Sequence, residues 1–275
     1  MIKRILVPTN GGEAAARGMG YAVALAARFK AHVIGLSVID VRLLENPFVR
    51  DIATGTGTPP YLNYPDGIAD VLEERGHAAL ASLQAECGRA AVTCDTSVAV
   101  GVVPLVIVEQ AELTDLIVIG RVLHHGERME EFVGSITESV ARHASVPVLV
   151  TGTAEPGGGA CLIAYDGSAH ARNALRTAVE VAGEWKMPLR LLVVSDLPEP
   201  LLNEARGYLQ THDLPVEYET RTGKPGEQIA ACAADCGATL IVMGAFGHTK
   251  LRELVVGSVT AQTLHRAPCP VLLIR

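Results

Sequence analysis

Gly244, Gly247, Gly257 and Ser258 follow one another as Gly, two residues, Gly, nine residues, Gly-Ser. The apolar run Leu240-Ile241-Val242-Met243 comes just before them, and a helical pattern from Val259 to Arg266 comes just after. A strand that ends in glycine and leads to Gly-Ser at a helix start offers an anion two things. One is a set of unpaired backbone N–H groups; the other is the positive end of a helix dipole. The spacing therefore predicts a phosphate cradle, with a nucleotide as the ligand.

The role of each residue follows from its type. Gly244 lets the chain leave its strand without a side chain in the crevice, and Gly247 does the same within the loop or takes φ > 0. Gly257 clears the approach to the N–H groups of Ser258 and Val259, and Ser258 adds a hydroxyl. Each such bond to an ionised phosphate is worth roughly 1.5–3 kcal/mol. Asp166 ends an earlier apolar run and precedes Gly167-Ser168. Its carboxylate can accept from ribose hydroxyls, help hold a phosphate-bound divalent metal, or simply cap a helix. Val194 can offer backbone N–H and C=O to an adenine edge.

These residues must be brought together by elements, and the elements are written twice. Ile5-Leu6-Val7-Pro8-Thr9-Asn10-Gly11-Gly12 matches Cys161-Leu162-Ile163-Ala164-Tyr165-Asp166-Gly167-Ser168. Leu116 to Gly120 matches Leu240 to Gly244, and Val133-Gly134-Ser135 matches Val256-Gly257-Ser258. The register changes between blocks, so the first half carries an insert at about 41–75, part of it turn-rich and part extending a helix over 68–89. A Gly-, Pro- and Thr-rich join from Thr151 to Gly159 separates domains expected at 1–151 and 160–275. In the second half, strands are predicted near 160–165, 189–195, 215–221, 239–243 and 270–274. Helices are predicted near 169–186, 199–211, 226–236 and 258–266. Short apolar strands alternating with helices define an α/β fold of two doubly wound, five-stranded parallel-sheet domains. Ligands of such sheets lie at the carboxyl ends of the strands, where the winding reverses. Asp166, Val194 and Gly244 all stand at such ends.

Composition narrows the function classes. A net charge of −7 argues against nucleic acid as the main partner. No secretion signal is expected at the start, and no apolar run is long enough to span a membrane. The six cysteines form neither a CxxC pair nor a disulfide frame, which fits a reduced, cytoplasmic protein.

The Gly-x2-Gly-x9-Gly-Ser run, the Asp after the first strand and the closing Ala267-Pro268-Cys269-Pro270-Val271-Leu272-Leu273-Ile274 resemble the universal stress protein family in its ATP-binding branch. The resemblance covers both halves and implies a tandem form with an adenine nucleotide-binding fold. It further implies ATP with Mg²⁺ or Mn²⁺ in the crevice, and self-association, as in a dimer, through the last strand of each half. Carried over residue by residue, Asp166, Val194, Gly244, Gly247, Gly257 and Ser258 match the family's nucleotide contacts. The first half departs from the pattern. Asn10 replaces the Asp, the loop is one residue longer, and His124 stands where the middle glycine belongs. Tight ATP binding is expected in the second half, and weak or no binding in the first.

Other candidates have plainer readings. His124-His125 has no third metal ligand nearby, Cys232 and Cys236 read as small packing residues, and Gly223-Lys224-Pro225-Gly226 reads as a helix entry. Lys250 and Arg252 lie in the cradle loop and either screen phosphate or face water. No catalytic base or carboxylate pair for phosphoryl transfer can be named. The reading is a stress-response regulatory protein that uses ATP as a conformational ligand, with a protein partner the sequence does not name. Its rivals are a slow ATPase at the same site and a nucleotide-independent scaffold.

Overall fold

The computed structural model describes residues 2–44, 64–121, 135–152, 158–245 and 258–275. The first half runs β1 (Arg4–Pro8), α1 (Glu13–Phe29), β2 (His32–Asp40), α2 (Val41–Leu44), α3 (Tyr64–Arg89), β3 (Cys94–Gly101), α4 (Val103–Ala111), β4 (Leu116–Gly120), α5 (Ser135–His143) and β5 (Val148–Thr151). The second runs β6 (Ala160–Ala164), α6 (Ala169–Trp185), β7 (Leu189–Val194), α7 (Glu199–Leu209), β8 (Val216–Arg221), α8 (Pro225–Asp235), β9 (Ala238–Gly244), α9 (Ser258–Arg266) and β10 (Val271–Ile274). The strands and helices expected for the second half fall within two residues of these bounds. The insert helix starts at Tyr64 rather than at residue 68.

Local chemistry explains the elements. The inner strand β4, Leu116-Ile117-Val118-Ile119, is apolar throughout because helices cover both its faces. The edge strands β3 and β8 alternate in exposure. Helices α1 and α6 both end on a lysine in the left-handed conformation, Lys30 at φ 53° and Lys186 at φ 54°. These residues stand at corresponding positions of the two halves, so the repeat extends to backbone detail.

The ten strands of the described residues form one sheet in the order β3-β2-β1-β4-β5-β10-β9-β6-β7-β8. Pairing is parallel within each half. At the centre β5 and β10 run antiparallel, with Leu149 opposite Leu272 and Val150 opposite Val271. Each half thus covers the other's last-strand edge, which would otherwise present unpaired backbone groups.

The alternation of side chains sends Leu116 and Val118 to one apolar layer, and Ile117 and Ile119 to the other. The first layer holds α1, α3, α6 and α7, and the second holds α4, α5, α8 and α9. Each layer runs unbroken across both halves. Fully burying a side chain such as Ile117 or Leu162 stabilises the fold by about 1.5–3 kcal/mol. Phe29 and Trp185, again corresponding residues, meet with ring centroids 5.8 Å apart and seal the join on the first layer. Residues 153–157, most of the expected join, lie outside the described residues.

Candidate functional site

In each half the winding reverses between two neighbouring strands: β1 and β4 in the first, β6 and β9 in the second. From β6 the chain crosses over the first layer towards β7, and from β9 it crosses over the second layer towards β10. The loops after β6 and β9 therefore part and leave a crevice at their carboxyl ends.

The loop after β6 carries Asp166, which is exposed. Its Oδ1 accepts the N–H of Ser168 at 2.9 Å, an Asx turn closed over Gly167 at φ +74°. The helix cap is Ser168, whose hydroxyl accepts the N–H of Ala171 at 3.1 Å. Asp166 is therefore not the cap of α6. Leu201 on α7 closes over Gly167, where a Cβ would lie 2.6 Å from its Cδ2.

Val194 is half-buried at the end of β7. The N–H of Tyr165 donates to Leu192, and the N–H of Ser195 donates to Arg221 on the opposite side. By strand alternation the backbone groups of Val194 point towards the β6 side, beyond its last bond with β7.

Gly244 ends β9, and packing gives it a second reason for being glycine. A Cβ there would lie 2.9 Å from His170 Cβ and 3.1 Å from the Ala171 nitrogen. The missing side chain makes room for the first turn of α6. Gly120 is tighter still, since a Cβ would lie 1.9 Å from the Ala14 carbonyl oxygen.

Ser258 is exposed at the first position of α9, with Val259 half-buried behind it. The next residue, Thr260, is 3% exposed and donates from Oγ1 to the Ala245 carbonyl at 2.9 Å. That bond fixes the amino end of α9 against the chain leaving β9. On the other side, Gly226 of α8 packs against α9, where a Cβ would lie 3.1 Å from the Val259 carbonyl oxygen. The structure thus brings Asp166, Val194, Gly244, Ser258 and Val259 to the same end of neighbouring strands β6, β7 and β9.

Gly247 and Gly257 lie outside the described residues, as do His124, His125, Gly126, Gly134, Lys250 and Arg252. Lys224 is the residue that precedes α8, and its Nζ lies 3.5 Å from Glu227. Cys232 is buried, and burial pushes its thiol up to about 12. Among the described residues no group of three His, Cys, Asp or Glu side chains could hold a metal. A divalent ion would fit beside Asp166 only if phosphates and water supplied most of its oxygens.

A clamp in the second half escaped the sequence reading. Tyr165 Oη donates to Glu204 Oε1 at 2.7 Å, and Arg172 Nε donates to the same oxygen at 2.5 Å. This joins α7 to the loop that carries Asp166. Burial, followed by the bond to Glu204, pushes Tyr165 up to about 12, while Arg172 and Tyr165 hold Glu204 below its ordinary range. In the first half Ala79 covers Gly11 as Leu201 covers Gly167. In that register the counterparts of Tyr165, Arg172 and Glu204 are Thr9, Ala16 and Ser82, and the clamp is absent. Comparing the halves at Ser82 and Glu204 would have revealed it, but the insert hides that alignment.

Among the described residues the first-half crevice holds a cavity of about 310 Å³, which lies between the ends of β1, β2 and β4, with α3 and α4 beside it. Its polar lining includes Thr9, Asn10, Asp40 and Arg75.

Two tandem, doubly wound α/β halves with crevices at their switch points define the class of protein. The chain matches the Universal stress protein family over residues 1–152 and 199–275, and it belongs to that family. Universal stress protein Slr1230 of Synechocystis sp. is 30% identical over 166 residues, covering 58% of each chain, so the match spans little more than half of that relative. Universal stress protein MJ0531 of Methanocaldococcus jannaschii is 33% identical over 153 residues, which cover 54% of this chain and 82% of that one. A universal stress protein of Archaeoglobus fulgidus has the same fold over nearly the whole length. Its TM-score is 0.78 at 20% identity, covering 99% of this chain and 98% of that one.

Proposed function

We propose that this is a stress-response regulatory protein whose second-half crevice binds an adenine nucleotide, ATP with Mg²⁺ or Mn²⁺. The observation that carries this reading is the Thr260–Ala245 bond. It holds the amino end of α9, with Ser258 first in line, at the switch point beside the loop of Asp166. An anion there meets the N–H groups of the first turn and the positive helix end. Asp166 contributes one oxygen to a metal carried by the phosphates or accepts from a ribose hydroxyl, and backbone groups of Val194 meet the base. Gly247 and Gly257, outside the described residues, are assigned to the same cradle by their spacing alone.

In this reading the parts 1–151 and 160–275 act as two domains, cytoplasmic and of unequal nucleotide affinity. ATP acts as a conformational ligand that a protein partner senses. Hydrolysis is at most weak, because no base stands among the residues assigned to the crevice. Self-association between chains would use surfaces other than the last strands, which pair within the chain.

Isothermal titration with magnesium ATP tests the reading. It should give one tight site per chain, and Ser258→Ala should weaken that site by about 10-fold. Two equivalent sites, or no binding, would overturn it. Sustained ADP release over many turnovers, lost in Ser258→Ala, would favour the ATPase rival instead.

A further inference from the structure

Among the described residues the two crevices differ in their charged side chains. In the second half Asp166 supplies a carboxylate. In the first half its place is taken by the amide of Asn10, whose Oδ1 accepts the N–H of Gly12 at 3.0 Å. Arg75 reaches over the same loop from α3, with its Nε 4.0 Å from where a side chain on Gly11 would begin. Arg75 stands four positions before Ala79. The residue four before Leu201 is Leu197, which lies in the bend before α7, so no side chain of α7 takes the place of Arg75.

The charge of Arg75 is available. Its side chain is exposed, and it has no hydrogen-bond or ion-pair partner among the described residues. The carboxylate that shares its cavity, Asp40, is already paired with Arg42, whose Nη2 lies 2.6 Å from Oδ2 and whose Nε lies 2.9 Å from Oδ1. The cavity beside them holds about 310 Å³, and its walls include Leu36, Ile39, Val103, Ile107 and Ile119. That volume is at the lower end of small-molecule pockets, roughly 300–1,000 Å³.

The geometry points to a second, chemically distinct site: the first-half crevice takes a small organic anion with an apolar body, without a metal. The body is buried against the aliphatic walls. The anionic head, a carboxylate or a phosphate monoester, pairs with the planar guanidinium of Arg75 and meets the amide of Asn10. A divalent cation is disfavoured there, because the open carboxylate is gone and Arg75 repels it. This site does not depend on nucleotide binding in the second half.

Anilinonaphthalene sulfonate, an apolar fluorescent anion, is the probe. Its fluorescence on the full chain should rise to saturation at one site and stay unchanged when EDTA removes divalent ions. Arg75→Leu, at an exposed position, should weaken it by about 10- to 100-fold. Asn10→Asp, which places a like charge beside the head, should weaken it by about 10-fold. Val103→Trp, which fills the half-buried mouth of the cavity, should abolish it. Decanoate and adenosine monophosphate then compete with the probe: displacement by the first assigns a carboxylate head, and displacement by the second a phosphate head. The proposal is overturned if neither competes, if binding requires Mg²⁺, or if either Arg75→Leu or Val103→Trp leaves the affinity unchanged.

Discussion

The guanidinium of Arg121, the residue after β4, donates across the join to the carbonyl oxygen of Leu264 in the last turn of α9, at 2.7 Å. The same nitrogen donates to Ala267 at 2.8 Å. Arg121 is 6% exposed, and burial holds its pKa below the ordinary arginine value. The negative end of the α9 dipole and its last carbonyls offset the cost of burying the charge. The strand that frames the first crevice is thereby tied to the helix whose other end faces the second. The counterpart of Arg121 is Ala245, which has no side-chain donor; the tie that runs back comes instead from Arg275, whose Nη1 donates to the Arg142 carbonyl oxygen in the last turn of α5 at 3.3 Å.

Arg121→Met keeps the aliphatic stem but leaves two buried carbonyls without this donor. Urea unfolding should show a loss of about 1–3 kcal/mol. An unchanged midpoint would mean that water or a neighbour replaces the guanidinium at no cost.

Replacing the strand-end glycines should affect the two halves unequally. A methyl at Gly244 lies 2.9 Å from His170 Cβ and 3.1 Å from the Ala171 nitrogen, so the first turn of α6 must give by a few tenths of an ångström. A methyl at Gly120 runs into the Ala14 carbonyl at 1.9 Å, so the first turn of α1 must move. Gly244→Ala should cost about 1–3 kcal/mol and Gly120→Ala more than that. Thermal unfolding of the two variants side by side checks the order.

Thr260→Val preserves shape but removes the bond that places α9 against β9. Stability should fall by about 1–2 kcal/mol in chemical denaturation. Magnesium ATP affinity in calorimetry should fall with it, since the helix end is no longer fixed at the crevice. Lost stability with unchanged affinity would separate the bond from the site.

Acid should loosen the clamp on α7. Glu204 is held below its ordinary value of 4.5, chiefly by Arg172 and then by Tyr165. A carboxylate with a depressed folded pKa contributes stability that is fully present above the unfolded value and is lost as pH falls through the folded one. Stability of the wild type should therefore decline below about pH 4.5, and Glu204→Gln should flatten that decline. Amide exchange along α7, followed from pH 7 downwards, reads the effect locally.

The fold was legible because it is repeated and periodic. Matching apolar runs gave the strands, and their alternation with helical patterns gave the parallel sheet. The sequence also pointed to one end of the sheet, and Asp166, Val194, Gly244, Ser258 and Val259 stand at that end. Gly244 was read as clearing the crevice, and the structure adds a second reason, the close approach of the first turn of α6, because glycine reports missing volume without saying what fills it. The Tyr165–Glu204–Arg172 clamp and the reach of Arg75 over Gly11 were not legible. They join residues far apart in the chain, and no local pattern marks such contacts.

By itself the sequence determined the two-fold repeat, the α/β alternation and the loss of the carboxylate at Asn10, since residue type and spacing fix local structure and local charge. Only the tertiary structure decided that ten strands make one sheet and that Arg121 caps a helix of the opposite half. It alone also decided that a cavity opens beside Arg75, an arginine without a partner among the described residues. Each of these depends on which distant surfaces pack together to exclude water, and that choice is settled by the whole core rather than by any single segment.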